Sequence, residues 1–209
     1  MKQLQFDPLN LVICGIGGQG NVLASEVVGS AMNDLGFRVS VGETYGASQR
    51  GGSVMSHVRV SARYALGVLI GAGEAHFIIG FEPLETLRIA RRYAGAHTRI
   101  IYDPRPVYPQ SVLRGAREYP DLDALRAELR TLGAEAREIP AAEIALACGD
   151  GRAANIALLG AFSCLPGAPL DRQDLAAILR QRFRGDVLAL NEAVFARGCA
   201  AMTGEEAAT

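Results

Sequence analysis

A glycine-rich loop between a strand-like segment and a helix-like segment constrains this fold more than any other feature. Residues 11–14 form a short apolar run, which is typical of a buried strand, and the six residues after it read G-I-G-G-Q-G. From residue 21 to residue 35 apolar side chains recur at helical spacing, and Gly36 is suited to end that helix. Residues 38–42 predict a second strand. Because such a crossover connection is nearly always right-handed, we expect the two strands to be parallel.

The rest of the chain predicts strands that alternate with helices, followed by a purely helical end. Further strands are expected at residues 54–60, 76–81, 98–102 and 136–139. Helices are expected at residues 83–93, 122–132, 153–165, 171–183 and 187–202, with an irregular connection at residues 103–120. This order predicts an α/β fold with a Rossmann-like start and a helical C-terminal part. We expect a single domain at residues 1–202 and a flexible tail at residues 203–209.

The composition excludes several classes of partner. The net charge is −1 and tryptophan is absent, so neither a nucleic acid nor an anionic membrane is expected to bind. No apolar stretch approaches the ~18 residues of a membrane span, and the N-terminal residues lack the pattern of a secretory signal. The four cysteines are far apart and form no C-x-x-C motif. That spacing argues against a zinc or iron–sulfur site, so we expect no metal on this chain and free thiols in a reducing cytoplasm.

The glycine loop is a candidate anion site. It matches G-x-G-x-x-G between a strand and a helix, which is the context of the dinucleotide-binding fingerprint. Glu43 follows about twenty residues later, near the end of the second strand, where an acidic residue would meet a ribose. Because the N–H groups at any helix N-terminus attract anions, the loop suits a coenzyme A phosphate or a partner's carboxylate equally well. A tight turn that binds no ligand is a further open alternative. The candidate residues of this loop are Gly15, Gly17, Gly18, Gln19 and Gly20.

A second polar loop, residues 43–53, reads E-T-Y-G-A-S-Q-R-G-G-S and leads into the strand at residues 54–60. Its glycines permit close approach of the backbone to another body, and Arg50 offers a rigid fork of donors for a carboxylate or phosphate. The chain shows no acid–base pair and no nucleophile at motif spacing, so we expect no catalytic residue on it. The candidate contacts in and after this loop are Glu43, Tyr45, Gly46, Ser48, Gln49, Arg50, Gly51, Gly52, Ser53 and His57.

Taken together, the two loops resemble a known family. G-I-G-G-Q-G followed by E-T-Y-G-A-S-Q-R-G-G-S-V-M-S-H-V-R is similar to the gamma domain of the 2-oxoacid:ferredoxin oxidoreductases. It is most similar to the indolepyruvate branch, in which that domain is a separate small beta subunit. The resemblance continues through residues 152–155 (R-A-A-N), 182–183 (R-F) and 190–193 (L-N-E-A), to about residue 202. Tyr45 and Ala47 stand where histidine and methionine are frequent in the family, so the exact 2-oxoacid stays open.

The resemblance implies a fold of three α/β/α layers with a mostly parallel, mixed sheet. It also implies a part in the oxidative decarboxylation of a 2-oxoacid with coenzyme A, which gives an acyl-CoA, carbon dioxide and electrons for ferredoxin. Thiamine diphosphate, magnesium and [4Fe-4S] clusters are then expected on a large alpha subunit. This chain would hold no cofactor alone and would be inactive alone. Residues 45–53 would close the partner's active site and position coenzyme A or substrate, or would only join the two subunits. The alternative is a stand-alone oxidoreductase that binds NAD or FAD at the glycine loop.

Overall fold

A computed structural model describes residues 2–45, 52–108, 110–116 and 118–205. Six strands form one sheet in the order β2-β3-β1-β4-β5-β6. Strands β1, β4, β5 and β6 run parallel to one another, whereas β3 is antiparallel to both β1 and β2. The predicted mostly parallel, mixed sheet is therefore confirmed. The strands are β1 (Leu9–Ile16), β2 (Arg38–Tyr45), β3 (Ser53–Ser61), β4 (Ala75–Gly80), β5 (Ala94–Tyr102) and β6 (Glu135–Glu138).

The position of β3 separates the first two strands. Val58 of β3 is opposite Leu11 of β1 on one side and opposite Val41 of β2 on the other. Because β1 and β2 are each antiparallel to β3, they point in the same direction, as predicted, but they are not neighbours. The residues that follow β2 therefore enter the sheet again through β3, next to β1, and this places the second polar loop beside the glycine loop.

Helices cover both faces of the sheet, as predicted for three layers. In β1, Leu11 and Ile13 point into the core on one face, and Val12 and Cys14 into the core on the other, and all four are fully buried. Such continuous burial is typical of a sheet with both faces covered. The first face is covered by α1 (Asn21–Asp34), α5 (Ala141–Ala147), α6 (Ala154–Ser163), α7 (Arg172–Arg182) and α8 (Gly185–Thr203), and the second by α2 (Pro83–Tyr93) and α4 (Leu122–Leu129).

The apolar helix predicted at residues 153–165 is α6, and it is buried because α8 packs directly against its backbone. A Cβ at Gly160 would lie 2.2 Å from the carbonyl oxygen of Phe195, and one at Gly198 would lie 2.0 Å from that of Ala157. Neither position can accept a side chain without separating the two helices. The two glycines therefore set the short distance between α6 and α8.

Two local predictions were incomplete. The alanine-rich helix α5 was not predicted, and the connection at residues 103–120 contains the short helix α3 (Gln110–Leu113). Both are too short for helical periodicity to show clearly in the sequence. In contrast, α7 begins where a helix was predicted, and Asp171 caps it by accepting hydrogen bonds from the N–H groups of Gln173 and Asp174.

An ion pair connects the C-terminal end of the described chain to α7. Helix α8 ends at Thr203 with Gly204 in the left-handed region (φ 75°), and Arg172 forms an ion pair of 3.2 Å with Glu205. Residues 206–209 lie outside the described residues, so the flexible tail stays a prediction. Across the described ranges, none of the helices combines the length and the apolar character that crossing a membrane requires.

Candidate functional site

The glycine loop is closed by the side chain of Gln19. Its Oε1 accepts a hydrogen bond of 2.6 Å from the N–H of Ile16, and its Nε2 donates one of 2.8 Å to the carbonyl oxygen of Phe81. The amide thus connects the end of β1 to the residue that follows β4. Because both polar atoms of the Gln19 side chain are used within the chain, this residue fixes the shape of the loop, and its contact with a partner stays a prediction.

Close packing explains two of the glycines. A Cβ at Gly15 would lie 2.6 Å from Gln19 Oε1, and one at Gly20 would lie 2.3 Å from Asn155 Nδ2. Gly20 and Gly18 also have positive φ angles of 86° and 103°, which other residues adopt only with strain. Asn155 lies in the first turn of α6 and contacts the loop, where it donates a hydrogen bond of 3.4 Å to the carbonyl oxygen of Gly20.

The two predicted loops meet at one backbone hydrogen bond. The N–H of Gly17 donates to the carbonyl oxygen of Gly52 at 2.8 Å. The next residue, Ser53, donates from Oγ to Glu85 Oε2 at 2.6 Å, and Arg88 contacts both of these side chains. The returning end of the second loop is therefore fixed between the glycine loop and the first turns of α2. Gly46, Ser48, Gln49, Arg50 and Gly51, together with Ala47 and the side chain of Tyr45, lie outside the described residues.

Glu43 lies on β2, away from the glycine loop. It is paired with Ser56 of β3, which is in turn paired with Ile13 of β1. Neighbouring strands lie about 4.8 Å apart, so Glu43, two strands away, lies about 10 Å from β1. Ser25 of α1 donates a hydrogen bond of 3.5 Å to its Oε1. The dinucleotide-binding fingerprint requires the acidic residue on the strand next to β1, so the described arrangement differs from that fingerprint.

His57 is also separate from the two loops. It is paired with Val12 in the middle of the sheet and is 1% exposed. Its Nδ1 accepts a hydrogen bond of 3.3 Å from the N–H of Ile70, and its ring packs edge-on against Tyr93. Burial, and then the positive charges of Arg59 and Arg92, lower the pKa of His57. The environment therefore favours a neutral, core imidazole, and a role of His57 in a site stays a prediction.

A cavity of about 250 Å³ lies between the glycine loop and α6, beyond the carboxyl ends of β1, β4 and β5. We call it the loop cavity. Ligands of open α/β sheets commonly bind at this edge. It is lined by residues of the glycine loop, of the segment after β5, and of the segment that leads from α5 into α6. These include Gly18, Gln19, Phe81, Asp103, Arg105, Ala142, Arg152 and Asn155.

Two arginines and a buried carboxylate give the loop cavity its charge. Asp103 accepts hydrogen bonds from the N–H groups of Arg105 (3.0 Å) and Ala142 (2.8 Å), and burial raises the pKa of its carboxyl. The Arg152 side chain is 92% exposed and forms an ion pair of 2.6 Å with Asp150, which holds the pKa of Asp150 down to about 2. In the sequence, Asp103 and Arg105 fall in the predicted irregular connection, and Arg152 in a family motif, and none of the three was predicted as a site residue. The signal that could have identified them was their position in the chain, since Asp103 and Arg105 closely follow β5 and Arg152 closely precedes α6.

A second cavity of about 460 Å³ lies on the other side of the glycine loop, against the start of α1. It is lined by Gly17, Val22, Glu26 and Val54, among others. Helix α1 begins after Gly20 without a side-chain cap and without an acidic residue in its first turn. Its N-terminal N–H groups are therefore available to an external acceptor. The glycine loop thus separates two cavities, and both could receive part of one extended ligand.

Metal ligands do not cluster in the described parts of the chain, where no three or more His, Cys, Asp or Glu residues are grouped to hold an ion. All four cysteines are free thiols. Cys14 and Cys199 are buried, and Cys148 and Cys164 are partly exposed.

The fold and its loops define a class of protein: a three-layer α/β domain with a closed glycine loop at the carboxyl edge of a mixed sheet. The chain belongs to the pyruvate ferredoxin/flavodoxin oxidoreductase family, whose sequence profile matches residues 10–201. This finding confirms the family to which the two loop motifs pointed.

Curated relatives match over most of their length. The chain is 31% identical to the indolepyruvate oxidoreductase subunit IorB of Methanothermobacter thermautotrophicus, over 90% of this chain and 95% of that protein. It is 34% identical to the protein of the same name from Archaeoglobus fulgidus, over 88% of this chain and 90% of that protein.

Solved structures of low sequence identity share the fold. The 2-oxoglutarate:ferredoxin oxidoreductase of Magnetococcus marinus, solved with 2-oxoglutarate, coenzyme A and succinyl-CoA bound, matches with a TM-score of 0.72 at 21% identity. That match covers 98% of this chain but only 32% of the other chain. The gamma subunit of a keto/oxoacid ferredoxin oxidoreductase from Geobacter sulfurreducens matches with a TM-score of 0.66 at 19% identity, over 94% of this chain and 99% of that one.

Proposed function

We propose that this chain is the small subunit of a cytoplasmic 2-oxoacid:ferredoxin oxidoreductase and that the edge formed by its two loops faces the active site of a large subunit. The observation that carries this proposal is the hydrogen bond between Gly17 and Gly52, because it joins the two family motifs into one surface at the carboxyl edge of the sheet. Family membership supports the reaction class. The names of the curated relatives support indolepyruvate, or another aryl pyruvate, as the 2-oxoacid.

In the proposed complex the redox groups belong to the large subunit. Thiamine diphosphate with magnesium would supply the decarboxylation there, and [4Fe-4S] clusters would pass the electrons to ferredoxin. This chain would contribute binding and orientation. Gln19 closes the glycine loop, and the Gly17–Gly52 hydrogen bond ties it to the end of the second loop, which suits a surface that must keep its shape when another subunit docks.

The charge distribution supports contact with an anionic substrate such as coenzyme A. Arg105 and Arg152 line the loop cavity, and the uncapped N-terminus of α1 faces the second cavity. An arginine fork and a helix N-terminus both favour phosphate or carboxylate groups. Arg50 would add a third positive group from the second loop. The competing proposal is that Gln49 and Arg50 only join the subunits.

Reconstitution of the complex tests the function. The full chain is co-expressed anaerobically with the large subunit from the same organism, and the purified complex is assayed with indolepyruvate, phenylpyruvate, pyruvate and 2-oxoglutarate. We expect coenzyme A-dependent reduction of ferredoxin that is fastest with an aryl pyruvate, and no activity from the small chain alone. If the isolated chain purifies with a flavin, or binds NAD and reduces it, the stand-alone dinucleotide enzyme is correct instead.

Substitution of Arg50 separates the two roles of the second loop. In an Arg50→Ala complex, a raised Michaelis constant for coenzyme A with intact assembly supports contact with the substrate. Loss of assembly supports an interface role. Full assembly with unchanged Michaelis constant and turnover would exclude the ligand role of Arg50.

A further inference from the structure

Two cysteine thiols lie side by side on the face of the domain that carries the C-terminal helices. Cys164 follows the last turn of α6, and Cys199 lies on α8. The hydroxyl oxygen of Ser163 is 3.5 Å from Cys164 Sγ and 3.4 Å from Cys199 Sγ. The Ser163 hydroxyl therefore contacts both thiols. Residues that are far apart in the sequence thus form a local pair.

The two sulfurs differ in access to solvent. Cys164 is partly exposed and lines a surface hollow of about 490 Å³, together with Asp171, Arg172 and Thr203. Cys199 is 2% exposed, and its thiol donates a hydrogen bond of 3.2 Å to the carbonyl oxygen of Gly160. A small molecule in the hollow can therefore reach Cys164, whereas Cys199 does not line the hollow and is shielded from solvent.

The charge next to the pair favours Cys164 as the nucleophile. Arg172 Nε lies 3.0 Å from Cys164 Sγ, in position to donate a hydrogen bond to it. Reactive cysteines commonly lie beside a positively charged group. Burial instead raises the pKa of Cys199 to about 11. The arrangement combines an accessible thiol next to a guanidinium with a buried second thiol.

We propose that Cys164 and Cys199 form a redox-active thiol pair whose co-substrate is a small disulfide. The Cys164 thiolate attacks one sulfur of the disulfide, which forms a mixed disulfide and releases one thiolate. Cys199, which loses its proton to the released thiolate, then attacks the sulfur of Cys164 and expels the second thiolate. The protein loses two protons and two electrons, and the small disulfide takes them up and is reduced to two thiols.

The close packing of α6 and α8 makes this pairing a property of the folded chain. The backbones are in contact at Gly160 and Gly198, so the helix segments that carry the two thiols keep a fixed separation. Cys14 on β1 and Cys148 after α5 lie elsewhere in the fold and serve as internal references. Each of the four cysteines also falls on a different tryptic peptide, since arginines lie between all of them.

The test uses the full chain under argon with bis(2-hydroxyethyl) disulfide as the probe. After acid quenching and alkylation, tryptic peptides are identified by mass spectrometry. We expect a joined pair of peptides that contains Cys164 and Cys199 and lacks two hydrogens.

In a Cys199→Ser chain the reaction should stop at the mixed disulfide on Cys164, and in a Cys164→Ser chain Cys199 should stay unmodified. Substitution Arg172→Gln should slow the first step about ten-fold, whereas Arg180→Gln on the same helix should not.

Two outcomes would overturn the proposal. One is a stable mixed disulfide on Cys164 of the unsubstituted chain without the joined peptides, because Cys199 would then fail to resolve it. The other is modification of Cys148 before Cys164, because Cys164 would then have no special reactivity. Since the readout is a peptide mass, neither outcome depends on the 2-oxoacid activity of the complex.

Discussion

Gly17 and Gly52 are joined by a backbone hydrogen bond of 2.8 Å, although 35 positions separate them by number and the second polar loop lies between them. The bond is possible because β3 enters the sheet next to β1, so that Ser53 is opposite Ile16. The two sequence motifs are thereby parts of one surface. The proposed contact with a large subunit, and with an anionic substrate, depends on this surface keeping its shape.

Gly20→Ala should destabilise the chain more than an ordinary glycine substitution at positive φ. The new Cβ would be strained at φ 86° and would lie 2.3 Å from Asn155 Nδ2. We expect a loss of about 2–4 kcal/mol in the free energy of unfolding, measured in urea. Gly36→Ala is the matched control, because φ is 87° there but its Cβ would meet open space, and it should cost about 1 kcal/mol. Equal losses for the two variants would contradict the role of Asn155.

Gln19→Ala should remove both hydrogen bonds that close the glycine loop. The N–H of Ile16 and the carbonyl oxygen of Phe81 would lose their partners, so we expect a loss of about 1–3 kcal/mol in the free energy of unfolding. Gln181→Ala is the control, since that exposed amide makes one long contact of 3.4 Å with Asp34. A Gln19→Ala chain as stable as the control would show that the loop closes without this amide.

Arg152→Gln should weaken the binding of coenzyme A to the assembled complex with little effect on folding. The side chain is 92% exposed and its ion pair lies at the surface, so the free energy of unfolding should change little. If Arg152 binds a phosphate, the Michaelis constant for coenzyme A should rise about ten-fold. Arg91→Gln, on the opposite face of the sheet and paired with Glu128, should leave the constant unchanged. An unchanged constant for Arg152→Gln would remove this residue from the site.

Tyr119→Phe should destabilise the chain more at high pH than at low pH. Burial raises the pKa of Glu82 in the folded chain above the 4.5 of the unfolded chain. The folded chain therefore holds this proton to a higher pH, and the contribution of Glu82 to the free energy of unfolding falls as the pH rises above 4.5. The hydroxyl of Tyr119 donates to the Glu82 carboxylate and opposes that rise. Without it the pKa of folded Glu82 rises further. We therefore expect a loss of about 1–3 kcal/mol at pH 8 and a smaller loss at pH 4.5.

Tyr108→Phe is the control for that experiment. The ring of Tyr108 packs edge-on against Tyr119, but Tyr108 is about half exposed. Its substitution should change the free energy of unfolding by the same small amount at both pH values. A loss for Tyr119→Phe that is equal at pH 4.5 and pH 8 would show that its hydroxyl does not act through the ionised form of Glu82.

The sequence predicted those parts of the fold that depend on local periodicity and on chain order. Helix α2, for example, has the predicted bounds, because Pro83 fits the first turn and apolar residues follow at helical spacing. The insertion of β3 between β1 and β2 could not be predicted in this way. Strand order depends on contacts between distant segments, and the alternation of residues 54–60 is equally consistent with several neighbours.

Glycines mark the candidate site in the sequence, whereas the single charged residues that line its cavity do not stand out. Gly15 and Gly20 belong to a strand–loop–helix pattern that is visible in the sequence. Arg105 lies in an irregular connection and Arg152 in one of the family motifs, and only the fold brings them to one cavity. His57 follows the second loop closely in the sequence, but a strand extends about 3.3 Å per residue, which puts His57 in the middle of the sheet, and its role in a site stays a prediction.

Hydrogen–deuterium exchange on the small chain, alone and in complex with the large subunit, tests the central claim most directly. We predict that assembly slows exchange at residues 15–24 and 43–53, which form the two loops and the start of α1, while exchange in the second half of α8 changes little. The account would be contradicted if both loop segments exchanged at the same rate in the complex as in the free chain while another face of the domain became protected.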